Sequence, residues 1–182
     1  MLAALFAFLS ILLIFVMATN NTFFVWAFSR HQNIMSWYIR PIFMIPFCYY
    51  AYQRNPTGIS LTIFLLLTSM FWFPHPELVD AKVQGFLQME KEYLTQNWTL
   101  SKIFISSLVP LSMAGLAYAF WKHSTKAGII LVIAIAVFKT IWSIVEGGET
   151  GTAVIIPALL GLVICMVFIY YGLKRIKKLK AE

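Results

Sequence analysis

Charge is scarce in this chain. Only 12% of its 182 residues are Asp, Glu, Lys or Arg, and 60% are hydrophobic. A soluble domain is usually about a quarter charged. That shortage, with a mean hydropathy of +0.80, excludes an ordinary soluble enzyme or binding module. Cysteine is nearly absent too. Cys48 and Cys165 are too few for a disulfide framework or a zinc site. No alternating ten-residue pattern indicates a transmembrane barrel, so spans satisfy their backbone as helices. No phosphate-cradling glycine loop, nucleophile elbow, histidine-rich cluster or helical Gly-xxx-Gly motif occurs. A nucleotidase, a serine hydrolase and a di-iron or haem enzyme thereby lose their usual signatures. No metal site and no cofactor is indicated.

The net charge of +7 does not indicate nucleic acid. Five of the fourteen cations lie in the last nine residues, and most of the others flank apolar runs, as topology signals do. No positive residue precedes the first apolar run. No small-x-small site follows it in Met17-Ala18-Thr19-Asn20-Asn21, so it is expected to be retained rather than cleaved as a signal peptide.

What is present is a series of long apolar runs. They predict an all-α integral membrane protein in one polytopic domain, residues 1–182. Six transmembrane helices are expected at about 2–18, 34–53, 59–73, 102–121, 127–147 and 152–172. Residues 19–33 are too polar for a span. Pro41 and Pro46 should break the second one and free the carbonyls of Trp37 and Ile42. Arg54-Asn55-Pro56-Thr57-Gly58 and Gly147-Gly148-Glu149-Thr150-Gly151 read as turns.

Residues 77–94 differ from the rest. Val79, Val83, Phe86, Leu87, Tyr93 and Leu94 recur at helical spacing among charged residues. Pro76 suits a first helical position, and Glu77 and Asp80 suit a helix N-terminus. An outer amphipathic surface helix between spans three and four is expected, with Glu77, Asp80, Glu90 and Glu92 on its solvated face. The tail 173–182 is basic. With both termini cytoplasmic, eight Lys and Arg residues fall inside and four outside. That satisfies the positive-inside rule and places the multi-pass protein in a cell inner membrane.

Candidate chemistry centres on residues 127–151. Lys139, Trp142, Ser143, Glu146 and Glu149 fall on one stripe of a helix. A cation at the centre of a span costs about 2.5–3.5 kcal/mol on insertion scales. Lys139 is therefore either a functional cation or a structural one, snorkelling or paired with a carboxylate of a neighbouring helix. Arg40, just before Pro41, raises the same question. Arg30, His31, His75 and Glu77 are further outer-face candidates. They lack metal-ligand spacing.

The expected function is binding or transport of a small anionic or zwitterionic solute among spans two, five and six. Arg40 and Lys139 attract it, and Glu146 and Glu149 gate or balance them. An accessory or assembly subunit of a membrane complex is the second reading. A membrane-embedded enzyme acting on a lipid or quinone is the third, and the solute reading favours a non-enzyme. The partners implied are the lipid bilayer, a small solute or lipid, and a second copy or another membrane protein, with no nucleic acid.

Overall fold

The structure is a computed structural model that describes residues 1–179. The end of the basic tail 173–182 lies outside the described residues. Among the described residues nine α-helices follow one another: α1 (Leu2–Thr19), α2 (Asn21–His31), α3 (Met35–Ile42), α4 (Met44–Tyr52), α5 (Pro56–Thr68), α6 (Ala81–Thr95), α7 (Leu100–Trp121), α8 (Thr125–Gly151) and α9 (Ile155–Leu179). Short 3-10 turns extend α5 through Ser69–Phe71 and join α8 to α9 through Thr152–Val154. There is no strand among the described residues.

Among the described residues three helical stretches are long and apolar enough to cross a membrane: Leu2–Thr19, Leu100–Trp121 and Thr125–Gly172. The third folds back on itself, because α8 and α9 pack against each other. Pro56–Phe71 is a shorter apolar helix.

Local chemistry sets the helix boundaries. Asn20 accepts a hydrogen bond from the Phe23 N–H at 2.9 Å and starts α2 inside a stretch too polar to read as a span. Residues 19–33 are thus helical over 21–31, which hydropathy does not reveal. Asn55 caps α5 through the Gly58 N–H at 3.0 Å, with Pro56 at the first helical position. The turn predicted at 54–58 is therefore confined to the residues before Pro56.

Asp80 caps α6, accepting from the N–H groups of Lys82 (2.8 Å) and Val83 (3.1 Å). The helix begins at Ala81, not at 77. Pro76 and Glu77 belong to the irregular segment before it. At residues 147–151, where a turn is expected, the chain leaves helical geometry at Gly148, whose φ of 54° and ψ of −130° suit glycine alone, and folds back so that Gly151 lies against the Ser143 backbone.

The second apolar segment breaks once, at Phe43; Pro41 lies inside α3, which continues past it to Ile42. α3 stops at Ile42 and α4 restarts at Met44, since Pro46 cannot donate to the Ile42 carbonyl. At the level of this break α3 crosses α9 closely. A side chain at Gly161 would collide with the Pro41 ring, and the Cys165 thiol donates to the Pro41 carbonyl at 3.0 Å.

Two apolar clusters hold the bundle together. One joins Phe47, Cys48, Ala51 and Tyr52 of α4 to Leu116, Phe120, Val132, Cys165 and Ile169 of α7, α8 and α9. The other joins Phe24 and Phe28 of α2, Trp37 of α3, Val154, and Val83, Phe86 and Leu87 of α6. Burying each large side chain of these clusters stabilises by about 1.5–3 kcal/mol.

α6 runs antiparallel along the last third of α8. Phe86 lies against Gly147, Tyr93 meets Trp142 edge to face at 5.3 Å, and Glu90 reaches Lys139. Its C-terminal end is tied down by Lys102. That ammonium sits over Tyr93 (4.7 Å) and Trp98 (5.2 Å) and donates to the Gln96 carbonyl at 3.1 Å.

A cavity between the two core clusters

The core is interrupted between its two clusters. A cavity of about 380 Å³ opens there, bounded by α3, α8 and α9, with contributions from α4, α5, α6 and α7. Its walls are mostly apolar: Met44, Leu66, Met113, Leu116, Val132, Ile135 and Leu162. One end differs, for His31, Arg40, Glu90 and Lys139 meet there under Phe86 and Trp37. Phe86 closes edge to face on Trp37 at 5.6 Å, so α6 covers this polar end.

The break after α3 positions Arg40, in the last turn of that helix. Its Nη1 donates to His31 Nε2 at 3.4 Å. A chain of donors fixes the imidazole. The Ser36 hydroxyl donates to the Asn33 carbonyl at 2.7 Å, so His31 Nδ1–H donates to Ser36 Oγ at 2.8 Å. Nε2 is then left as the acceptor for Arg40. The eleven-residue α2 is too short to cross a bilayer. At its end, burial first, and then the nearby cations Arg40 and Lys139, hold His31 well below its ordinary pKa. The ring is neutral at pH 7. Among the described residues, Arg40 has no carboxylate within ion-pair distance.

Lys139 has a partner that the sequence analysis places elsewhere. Its Nζ donates to Glu90 Oε1 at 2.7 Å, and the ammonium also lies over Trp142 (4.5 Å) and Phe86 (5.4 Å). Glu90 is therefore not on the solvated face of α6. Its signal was present in the spacing: Val83, Phe86, Glu90 and Tyr93 follow one helical stripe. A carboxylate within an apolar stripe needs a cation across from it.

The other predicted residues divide. Trp142 packs with Tyr93, and Ser143 is wholly buried. The Trp142 Nε1 and the Ser143 Oγ have no hydrogen-bond partner, and neither residue lines the cavity. Glu146 and Glu149 are exposed and away from it, so the stripe brings only Lys139 to this site. Arg30 donates to the Phe71 carbonyl at 2.7 Å and lies over Trp26. His75 pairs through Nδ1 with the Ser29 carbonyl at 3.0 Å. Glu77 is exposed. Of the outer-face candidates, His31 alone joins Arg40 and Lys139. Pro157 and Gly161 also line the cavity. Nothing in the sequence distinguishes them from ordinary helix breakers.

Chemically, this is an apolar chamber with a cationic end. Arg40 and Lys139 bring two positive charges to it, Glu90, bonded to Lys139, brings one negative charge, and His31 brings none. No protein-family model, curated protein or solved structure matches this chain.

Proposed function

We propose that the chain is a six-span membrane protein whose cavity binds a small amphiphilic anion. Its spans are α1, the broken pair α3–α4, α5 with its 3-10 extension, α7, α8 and α9. Both termini are cytoplasmic, and α6 is an amphipathic helix capping the outer end. Support for the topology comes from the Lys and Arg distribution and from the apolar side chains exposed along these helices, such as Phe8, Val109, Val137 and Leu160.

One observation carries the ligand reading. Arg40 lines the cavity with no carboxylate within ion-pair distance among the described residues, and the nearby Glu90 is already bonded to Lys139, so one positive charge is in excess there. An unpaired charge in a low-dielectric interior is costly, and an anion seated against it removes that cost. The apolar walls then require that the anion's body be apolar. Buried aliphatic walls with a few convergent polar groups are the ordinary make-up of a ligand site, and the volume falls within the usual range.

The test is thermal stabilisation of the purified protein in phosphatidylcholine nanodiscs. Anionic amphiphiles should raise the melting temperature of the wild type and leave Arg40→Met unchanged. Equal responses of both proteins would refute the reading.

A second reading, an accessory subunit of a membrane complex, draws support from the Lys139–Glu90 pair, which accounts for Lys139 without any ligand. It predicts that no anion acts through Arg40. The enzyme reading lacks such support. His31 bonds to Ser36 and Arg40, and His75 to a carbonyl, so neither is bonded to a carboxylate.

A further inference from the structure

We infer that the ligand is a single-chain monocarboxylate of medium length, an ionised fatty acid of about ten to twelve carbons rather than a phospholipid or a phosphate ester. This rests on the amphiphilic-anion reading above and narrows it in three ways.

Charge comes first. At the polar end stand two cations, Arg40 and Lys139, and one carboxylate, Glu90, already bonded to Lys139 at 2.7 Å. Donating to Ser36 and accepting from Arg40 suits a neutral His31. One positive charge is left over, and one negative charge balances it. A phosphate monoester carries about −1.5 to −2 near neutral pH. It would leave excess negative charge beside the carboxylate of Glu90. A zwitterion would bring a second cation to a place that already holds two.

The head group's shape comes next. One guanidinium N–H of Arg40 goes to His31 Nε2, which orients the planar fork and leaves further N–H groups for the ligand. A planar carboxylate accepts two parallel bonds from such a fork. His31 is in turn held by Ser36, so Arg40 is positioned before any ligand arrives.

Size completes the description. At roughly 30 Å³ for a group the size of a water molecule, 380 Å³ holds about a dozen heavy atoms. One medium chain fits, and two acyl chains do not. The cavity is also elongated in the required sense. Val132 lines it two turns below Lys139 on α8, ~10 Å away along the axis. Met44 and Met113, flexible side chains that adapt to a chain's contour, line the apolar part.

The experiment follows the melting of the full chain in phosphatidylcholine nanodiscs at pH about 8, where carboxylates are ionised. Dodecanoate is added as an increasing mole fraction of the bilayer. Dodecanol, dodecyltrimethylammonium, dodecyl phosphate, dodecyl sulfate and octadecanoate are the comparators. Dodecanoate should stabilise saturably, the neutral and cationic chains should not, and octadecanoate should be weaker than dodecanoate. Arg40→Met should weaken the dodecanoate effect by roughly tenfold or more, the loss expected when a charge-assisted hydrogen bond is removed. Arg40→Lys, which keeps the charge without the fork, should fall between. Ala136→Phe, which fills the cavity from α8, should abolish the effect while Arg40 is intact.

Arg40-dependent stabilisation by dodecyl phosphate or sulfate but not by dodecanoate overturns the carboxylate assignment and leaves the anion reading standing. Octadecanoate acting as well as dodecanoate overturns the chain length. If no anion acts through Arg40, both the assignment and the reading beneath it fail.

Discussion

At Lys139 the side chain is 47% exposed, and its partner Glu90 is 21% exposed. A pair this open is worth about 1 kcal/mol or less, because solvent screens it and two long side chains lose freedom. A fully buried pair broken at one partner would cost about 3–5 kcal/mol instead. Lys139→Met should therefore lower the melting temperature by no more than about 4 °C for a chain of this length, and Glu90→Gln should do much the same. A far larger drop in a detergent melting curve would show that the pair is buried after all.

Arg40 is the opposite case. It has no carboxylate at ion-pair distance among the described residues, so Arg40→Met should leave the melting temperature of the ligand-free protein unchanged or raise it.

His31 supplies a pH dependence whose sign is fixed by its surroundings. Its folded pKa is depressed by burial, then by Arg40 and Lys139. The unfolded chain therefore takes up a proton at about pH 6.5, before the native protein does. This contribution to stability is complete above about pH 6.5 and is lost as pH falls towards the lower folded value. His31→Gln should flatten that part of the melting temperature against pH. A variant as acid-sensitive as the wild type would place the titrating group elsewhere.

The elements show which parts of the sequence were legible. Long apolar runs locate α1, α7, α8 and α9, since burial or lipid contact along a helix leaves a continuous signature. Pro46 locates the break between α3 and α4, whereas Pro41 is accommodated inside α3. The short α2 was hidden, because one Asn20 cap inside a polar stretch decides it. The break within 147–151 was legible, because its glycines permit the positive φ that Gly148 adopts.

At the site, Arg40 and Lys139 stood out by their depth in apolar runs. His31 stood only among the outer-face candidates, and Glu90 was legible by its place in an apolar stripe but not by its partner, because each acquires its role through a neighbour on another element. The Glu90–Lys139 pair spans 49 positions.

α6 is the element that closes the polar end, so its docking is the next expectation. Val83 is 2% exposed, and Val83→Asp buries a charge with no partner. Hydrogen exchange over 81–95 should rise sharply in that variant, with the contact of α1 and α5 unaffected. Exchange over 81–95 as slow as in the wild type would mean that α6 is held by something other than its apolar face.

For the whole molecule, the proposed sidedness rests on the cation distribution and on α6 lying at the end of α8 opposite Thr125. Gln84 and Ser124 are both exposed, and the native Cys48 and Cys165 are buried. Cysteines introduced singly at these two positions therefore report sidedness. An impermeant thiol reagent applied from outside should label Gln84→Cys and spare Ser124→Cys. The reverse pattern would invert the proposed topology without altering the cavity.

The central claim is that the space between the two core clusters is occupied by an anion with an apolar body, held at Arg40. Native mass spectrometry of protein purified from membranes tests it most directly, because the bound species declares its own mass and charge. The wild type should carry one small anionic amphiphile per chain, released on activation as a single defined mass. Arg40→Met and Ala136→Phe, each still folded by its melting curve, should carry none. A wild type that flies free of any such adduct, or an adduct equally abundant in Arg40→Met, would contradict the account.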